Sequence, residues 1–186
     1  MTRAGRILRS AGIVFVFLII AFLGRNLFRG ERGGTGTGQV VDEGIGIGMQ
    51  AVTLYFADPE RADLATERRD LIVGAETSTL VAAALEALAR GPEGRLARIV
   101  PDGTRVRHVF IDRDGVVYAD FSAELSSGMA GAGLSQEILL LRSFARTLSV
   151  NFRSLKSLVI LVEGRTKPSL GGRIDTSQPL DLVDWQ

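Results

Sequence analysis

The sequence predicts an α+β domain, a mixed sheet with two helices packed on it, preceded by one N-terminal transmembrane helix and a Gly-rich linker. Three observations predict it. Two apolar-rich runs flank Arg113-Asp114-Gly115, which marks a β-hairpin over residues 105–122. Two stretches, after Thr77 and after Ser135, repeat apolar residues at the spacing of a helix face. Strand-like runs precede the first stretch and follow the second, so the order is strand–strand–helix–hairpin–helix–strand.

Residues 1–29 form the first segment. Arg3, Arg6 and Arg9 precede thirteen uninterrupted apolar residues, Ala11 to Leu23. Counting from Ile7 to Phe28 reaches the ~20 residues that span a bilayer, with Arg9 and Arg25 snorkelling to the two interfaces. Directly after the run, neither Ala21-Phe-Leu nor Phe22-Leu-Gly fits an A-x-A cleavage site, so the reading is an uncleaved anchor, with a cleaved signal peptide as the alternative. The bilayer is therefore the first expected partner, through residues 7–28. Arginines flank the span on both sides, which gives only a slight bias toward an N-inside orientation. The expected location is single-pass in the inner (cytoplasmic) membrane, with the C-terminal domain outside the cytoplasm.

Residues 30–50 hold eight glycines and read as a flexible tether. Gly34-Thr-Gly36-Thr-Gly38 follows no strand and leads to no Lys-Ser/Thr, so it is no phosphate loop. The domain proper is expected over residues 51–186. Residues 51–57 are β-branched and aromatic and read as a strand that Asp58-Pro59 ends. Residues 67–73 read as a second. Thr77-Ser78 caps a helix whose stripe is Val81, Ala84, Leu85 and Leu88, and Gly91-Pro92 closes it.

The hairpin register follows from burial. A three-residue loop, Arg113 to Gly115, puts Val109, Ile111, Val117, Ala119 and Phe121 on one apolar face; a two-residue loop leaves neither face clean. Gly115 supplies the left-handed residue that loop needs. The opposite face then carries Phe110 beside Tyr118, His108 beside Asp120, and Val106 beside Ser122. That face reads either as a partner surface or as a second packed or half-solvated face stabilised by cross-strand pairs. Residues 123–133 read as a small-residue loop. The second helix runs from about Ser135 to Val150, with Ile138, Leu141, Ala145 and Leu148 as its stripe, widened by Leu140 and Phe144; Asn151 follows as its C′ residue. Residues 156–162 form a continuous apolar run, expected as a central strand covered on both faces. A further short strand is expected at Arg173–Asp175.

Composition excludes several chemistries. There is no cysteine, hence no disulfide, thiolate metal site or Cys nucleophile. One histidine, His108, excludes a multi-histidine metal site and leaves no second histidine for a triad. Residues 51–186 carry sixteen basic and eighteen acidic side chains, so the domain is no basic nucleic-acid binder. No cofactor is expected. Carboxylates are the remaining catalytic currency: Asp112, Asp120, Glu124 and Glu137. Glycan cleavage needs two carboxyls at a fixed separation with pKa values pushed apart. The structural account has Asp114 shaping the turn, Asp120 pairing with His108 or capping the loop, Glu137 favouring the helix dipole after Ser135, and Asp175 with Ser177 forming a turn before Pro179.

Several segments together resemble the GerMN domain family of bacterial sporulation, germination and lipoprotein contexts. They are Val52–Phe56, Ala87–Pro92, Pro101–Thr104, Asp114–Ser122, the Leu-rich second helix, Leu158–Gly164 and Leu170–Pro179, covering about residues 52–182. The family's lipobox is absent, and the apolar helix takes over anchoring. The resemblance implies a non-enzymatic envelope module whose partner is a protein or peptidoglycan. The alternative is a carboxylate-dependent wall hydrolase. Phe110, Tyr118, His108 and Asp120 are the expected partner-binding residues.

Overall fold

The computed structural model describes residues 48–74 and 76–185. The predicted membrane helix at residues 7–28 and the linker up to residue 47 lie outside the described residues. Among the described residues no helix is long and apolar enough to cross a membrane. The elements are β1 (Gly48–Asp58), β2 (Asp63–Val73), α1 (Thr77–Arg90), β3 (Val106–Ile111), β4 (Val116–Phe121), α2 (Glu124–Met129), α3 (Leu134–Asn151), β5 (Ser157–Val162), β6 (Arg165–Thr166) and β7 (Leu180–Asp181). The class is α+β with a mixed sheet.

The strands make two sheets where one was expected. β1 and β2 pair antiparallel over eleven residues each, from Gly48↔Val73 to Asp58↔Asp63. β1 thus begins inside the last residues of the predicted linker. Its apolar face, Val52, Leu54 and Phe56, is fully buried. Its free edge is closed by side chains of α3. Asn151 Oδ1 accepts the Thr53 N–H at 2.9 Å, and its Nδ2 donates to the Thr53 carbonyl at 2.7 Å. Thr147 Oγ1 accepts the Tyr55 N–H at 3.2 Å, and Ser143 Oγ donates to the Tyr55 carbonyl at 2.6 Å. Two strand residues further on, Ala57 exchanges both main-chain bonds with Ala97. Ser143, Thr147 and Asn151 are four residues apart, hence on one helix face. Every main-chain group on that edge from Thr53 to Ala57 is thereby satisfied. Asn151 accordingly ends the helix from inside it, and Phe152 takes the C-cap position.

The stripe predicted for α1 is buried as expected, and Gly91 ends the helix at φ +89°. Two arginines satisfy its last carbonyls. Arg98 donates to Ala89 and Arg90, and the buried Arg69 donates to Ala87 and Gly91. Arg69 is itself held by Glu67 and lies 5.5 Å over the Phe56 ring.

The second sheet has the order β3-β4-β5-β6, with β7 on β5. β3 and β4 are antiparallel and β4 and β5 parallel. A parallel pair needs a long crossover, which α2 and α3 supply. The inner face, with Val117, Ala119, Phe121, Leu158, Ile160 and Val162, is buried against the helices. Phe121 stacks on Phe144 of α3 at 5.3 Å. α2 replaces the predicted loop: Gly128 leaves no room for a side chain, since a Cβ there would lie 2.4 Å from Pro101 Cβ. β5 is central, and on its outer face Val159 is buried as well while Leu161 is half-buried, so the expected double coverage holds at Val159. Residues 173–175 form no strand, and β7 follows Pro179 instead.

Candidate functional site

The site is built on the β3–β4 turn. Gly115 has φ +85°, and Val109↔Ala119, Phe110↔Tyr118 and Ile111↔Val117 are in register, as the three-residue loop requires. The turn is shaped by Asp112 where Asp114 was expected. Asp112 Oδ1 accepts the N–H groups of Asp114 and Val116, both at 2.9 Å. An Asx carboxylate bonding two residues ahead is the physical device.

On the outer face Phe110 and Tyr118 lie side by side, ring centroids 6.1 Å apart and tilted by 42°. Phe110 is 62% exposed and Tyr118 half-buried. The pair is thus half-solvated: Phe110 lies open and Tyr118 is partly covered. The row continues onto β5, where Val159 pairs with Tyr118 and Leu161 with Asp120. A shallow cavity of about 780 Å³ borders Phe110 between the turn, the first turn of α1 and Ser154–Lys156.

The other predicted pair comes out differently. His108 is opposite Asp120, but its ring is 81% exposed and Nδ1 stays 3.8 Å from the carboxylate. Asp120 is buried and belongs to a structural knot. Its Oδ1 accepts the Gly164 N–H at 2.7 Å, and Oδ2 lies 3.4 Å from Arg107, which donates to Glu163 at 2.8 Å. Glu163 in turn accepts the Ala123 N–H. Asp120 thus holds the Glu163-Gly164 turn, both of whose residues have positive φ. The cause is a bulge. Val106 sits opposite Phe121, where Arg107 was expected, so Arg107 is the extra residue and Val106 moves from the outer face to the core side. No alternation in the sequence marks it.

The remaining carboxylates are also committed to the fold. Glu137 is fully buried. It accepts Ser169 Oγ at 2.8 Å, the Gly171 N–H at 2.9 Å and the Arg173 N–H at 3.0 Å. Burial alone would raise its pKa, but these donors hold it below the ordinary value. Its role is to clamp the Ser169–Arg173 loop, which a helix-dipole reading does not reveal. Hydrogen bonding to Ser122 lowers Glu124, and the side chain and N–H of Ser177 lower Asp175. A general acid in glycan cleavage needs the opposite displacement.

Comparison with known proteins places this geometry. A family model described as "Germane: Sporulation and spore germination" matches residues 53–168. No curated protein matches. The chain is similar to the crystal structure of a candidate lipoprotein from Clostridium perfringens, with 26% identity and a TM-score of 0.53 over 74% of this chain and 90% of that one. It is similar to the first GerMN domain of the sporulation protein GerM from Bacillus subtilis, with 25% identity and a TM-score of 0.53 over 71% and 97%. Against the tandem GerMN domains of GerM the identity is 24% and the TM-score 0.54, over 74% of this chain and 48% of the tandem.

Proposed function

Because the chain belongs to the Germane family of sporulation and spore germination domains, we propose that it is a non-enzymatic envelope module. It binds an envelope protein or a peptidoglycan-associated partner through the outer face of the five-stranded sheet. The observation that carries this reading is the Phe110–Tyr118 pair on the outer face of the hairpin, with Phe110 exposed and Tyr118 half-buried. Exposed aromatics of this kind anchor interfaces. Of the carboxylates a wall hydrolase would need, Asp112, Asp120 and Glu137 are instead acceptors for the fold's own hydrogen bonds. His108 flanks the aromatic pair and is free to meet a partner; Asp120 supports the surface from beneath and does not itself reach out.

Tyr118→Ala tests the surface. Losing one exposed cross-strand aromatic pair costs about 1 kcal/mol, so the melting temperature should fall by no more than about 5 °C. Capture of a partner cross-linked in envelope fractions should drop severalfold. Unchanged capture would remove the site, and a large loss of stability would return the pair to the core.

The proposed location is the inner membrane, with the domain on the extracytoplasmic side and residues 7–28 retained as the anchor. Similarity to a candidate lipoprotein supports an envelope setting. The cellular protein is expected to sediment with membranes and to yield peptides spanning residues 7–28. An N-terminus between residues 25 and 50, with the protein in soluble fractions, would overturn the anchor.

A further inference from the structure

We propose that two copies of this chain pair through the outer edge of β2, joining their β1–β2 hairpins into one four-stranded antiparallel sheet. This surface is separate from the Phe110–Tyr118 face and does not depend on it.

The argument starts from which main-chain groups are free. Thr53, Tyr55 and Ala57 point away from β2, since their N–H and C=O groups bond to α3 and to Ala97. Their partners across the hairpin are Arg68, Thr66 and Leu64. By alternation, Thr66, Arg68, Asp70 and Ile72 point their main-chain groups away from β1. Among the described residues none of these groups has a hydrogen-bond partner off the strand. All four residues are exposed. The other edges are handled differently. α3 closes β1, and at β3 the Glu86 carboxylate accepts the Val106 N–H, so α1 flanks that edge. β2 is left as a long open strand, an edge that proteins otherwise blunt with charged side chains, Pro, a bulge or a covering element.

The charges on β2 do not blunt it in every register. Glu67 and Arg69 turn inward and are bonded beneath the strand to the end of α1 and to the Glu93-Gly94 main chain. Arg68 and Asp70 share the outer face, and neither forms an ion pair with another described residue. Antiparallel pairing about a two-fold axis at Arg69 sets Arg68 of each copy opposite Asp70 of the other. It also sets Thr66 opposite Ile72, which is 73% exposed in the single chain. The edge is therefore self-complementary, as a closed two-fold interface requires. Shifting the axis to residue 68 would set Arg68 against Arg68, so the charges select one register.

The absence of cysteine makes the register directly testable in the full chain, purified in mild detergent. Thr66 and Ile72 lie six residues apart on one strand, ~20 Å, too far to bridge within a copy. The double variant Thr66→Cys/Ile72→Cys should therefore oxidise to a disulfide-linked dimer, and either single variant should not. By sedimentation at about 100 μM, enough to saturate a micromolar interface, the wild type should be dimeric. Arg68→Asp should be monomeric, and the swap Arg68→Asp/Asp70→Arg should restore the dimer. A monomeric wild type, a dimer indifferent to Arg68→Asp, or cross-linking no faster in the double than in the single variants would each overturn the proposal. Tyr118→Ala should leave every one of these results unchanged, which separates this edge from the partner face.

Discussion

Gly115→Val is expected to destabilise the domain by about 2–6 kcal/mol, the sum of two penalties. A β-branched residue at φ +85° is strained by about 1–3 kcal/mol. A Cβ at this position would also lie 2.5 Å from the Ser154 carbonyl oxygen, and forcing backbone apart in a packed site costs about 1–3 kcal/mol more. The carbonyl of Gly115 accepts the Lys156 N–H at 2.9 Å, so displacing the turn also disturbs the entry to β5. The melting temperature should fall by about 10–20 °C for a domain of this size. Gly115→Asn divides the effect, because asparagine tolerates the left-handed region but keeps the Cβ. A loss close to that of valine would assign most of the penalty to the Ser154 contact. A melt of Gly115→Val within about 2 °C of wild type would refute the close packing of turn and β5.

Glu137→Gln should cost about 2–4 kcal/mol at neutral pH, since an amide NH₂ would face donors where a buried carboxylate accepted three hydrogen bonds. The pH dependence has a definite sign. The folded pKa lies below the ordinary value of 4.5. The carboxylate's contribution is therefore fully present above that value and is lost as pH falls through the lower folded one. The gap between wild type and variant, read from urea midpoints, should be widest at pH 7 and shrink at about pH 3. A gap that is constant or grows on acidification would contradict the clamp. Proteolysis within Ser169–Arg173 should rise in the variant, because that loop loses its buried acceptor.

The hairpin was legible because a strand's period of two leaves one register with a clean face, and Gly115 named the turn. The helix stripes were legible for the same kind of reason. What failed was polar chemistry acting over long sequence separations. Asp120 reads as a partner for His108 because they are opposite, yet its main bond goes to Gly164, 44 residues on. Asn151 reads as the residue after the helix, and Ser143 and Thr147 lie outside its apolar stripe. Their four-residue spacing beside the apolar stripe was the available signal that this face is also occupied. α2 was missed because Glu124–Met129 is short and holds Ser126, Ser127 and Gly128, poor helix formers held by packing on Pro101. The run at β5 is apolar across both faces, and its outer Val159, beside Tyr118, is buried like the inner residues while Leu161 is half-buried.

The α3 side chains that close the β1 edge bear on how the chain is made as well as how it stands. Those bonds join residues 88 to 98 positions apart. At about 5–20 residues per second, the β1–β2 hairpin would emerge from the ribosome roughly 5–20 s before the helix that finishes it. Throughout that interval both of its edges are bare, and an unpaired edge is where nascent chains mispair. High contact order of this kind also slows refolding. Variants at Ser143, Thr147 or Asn151 should therefore show themselves first in yield and aggregation during expression, before any change appears in the finished protein.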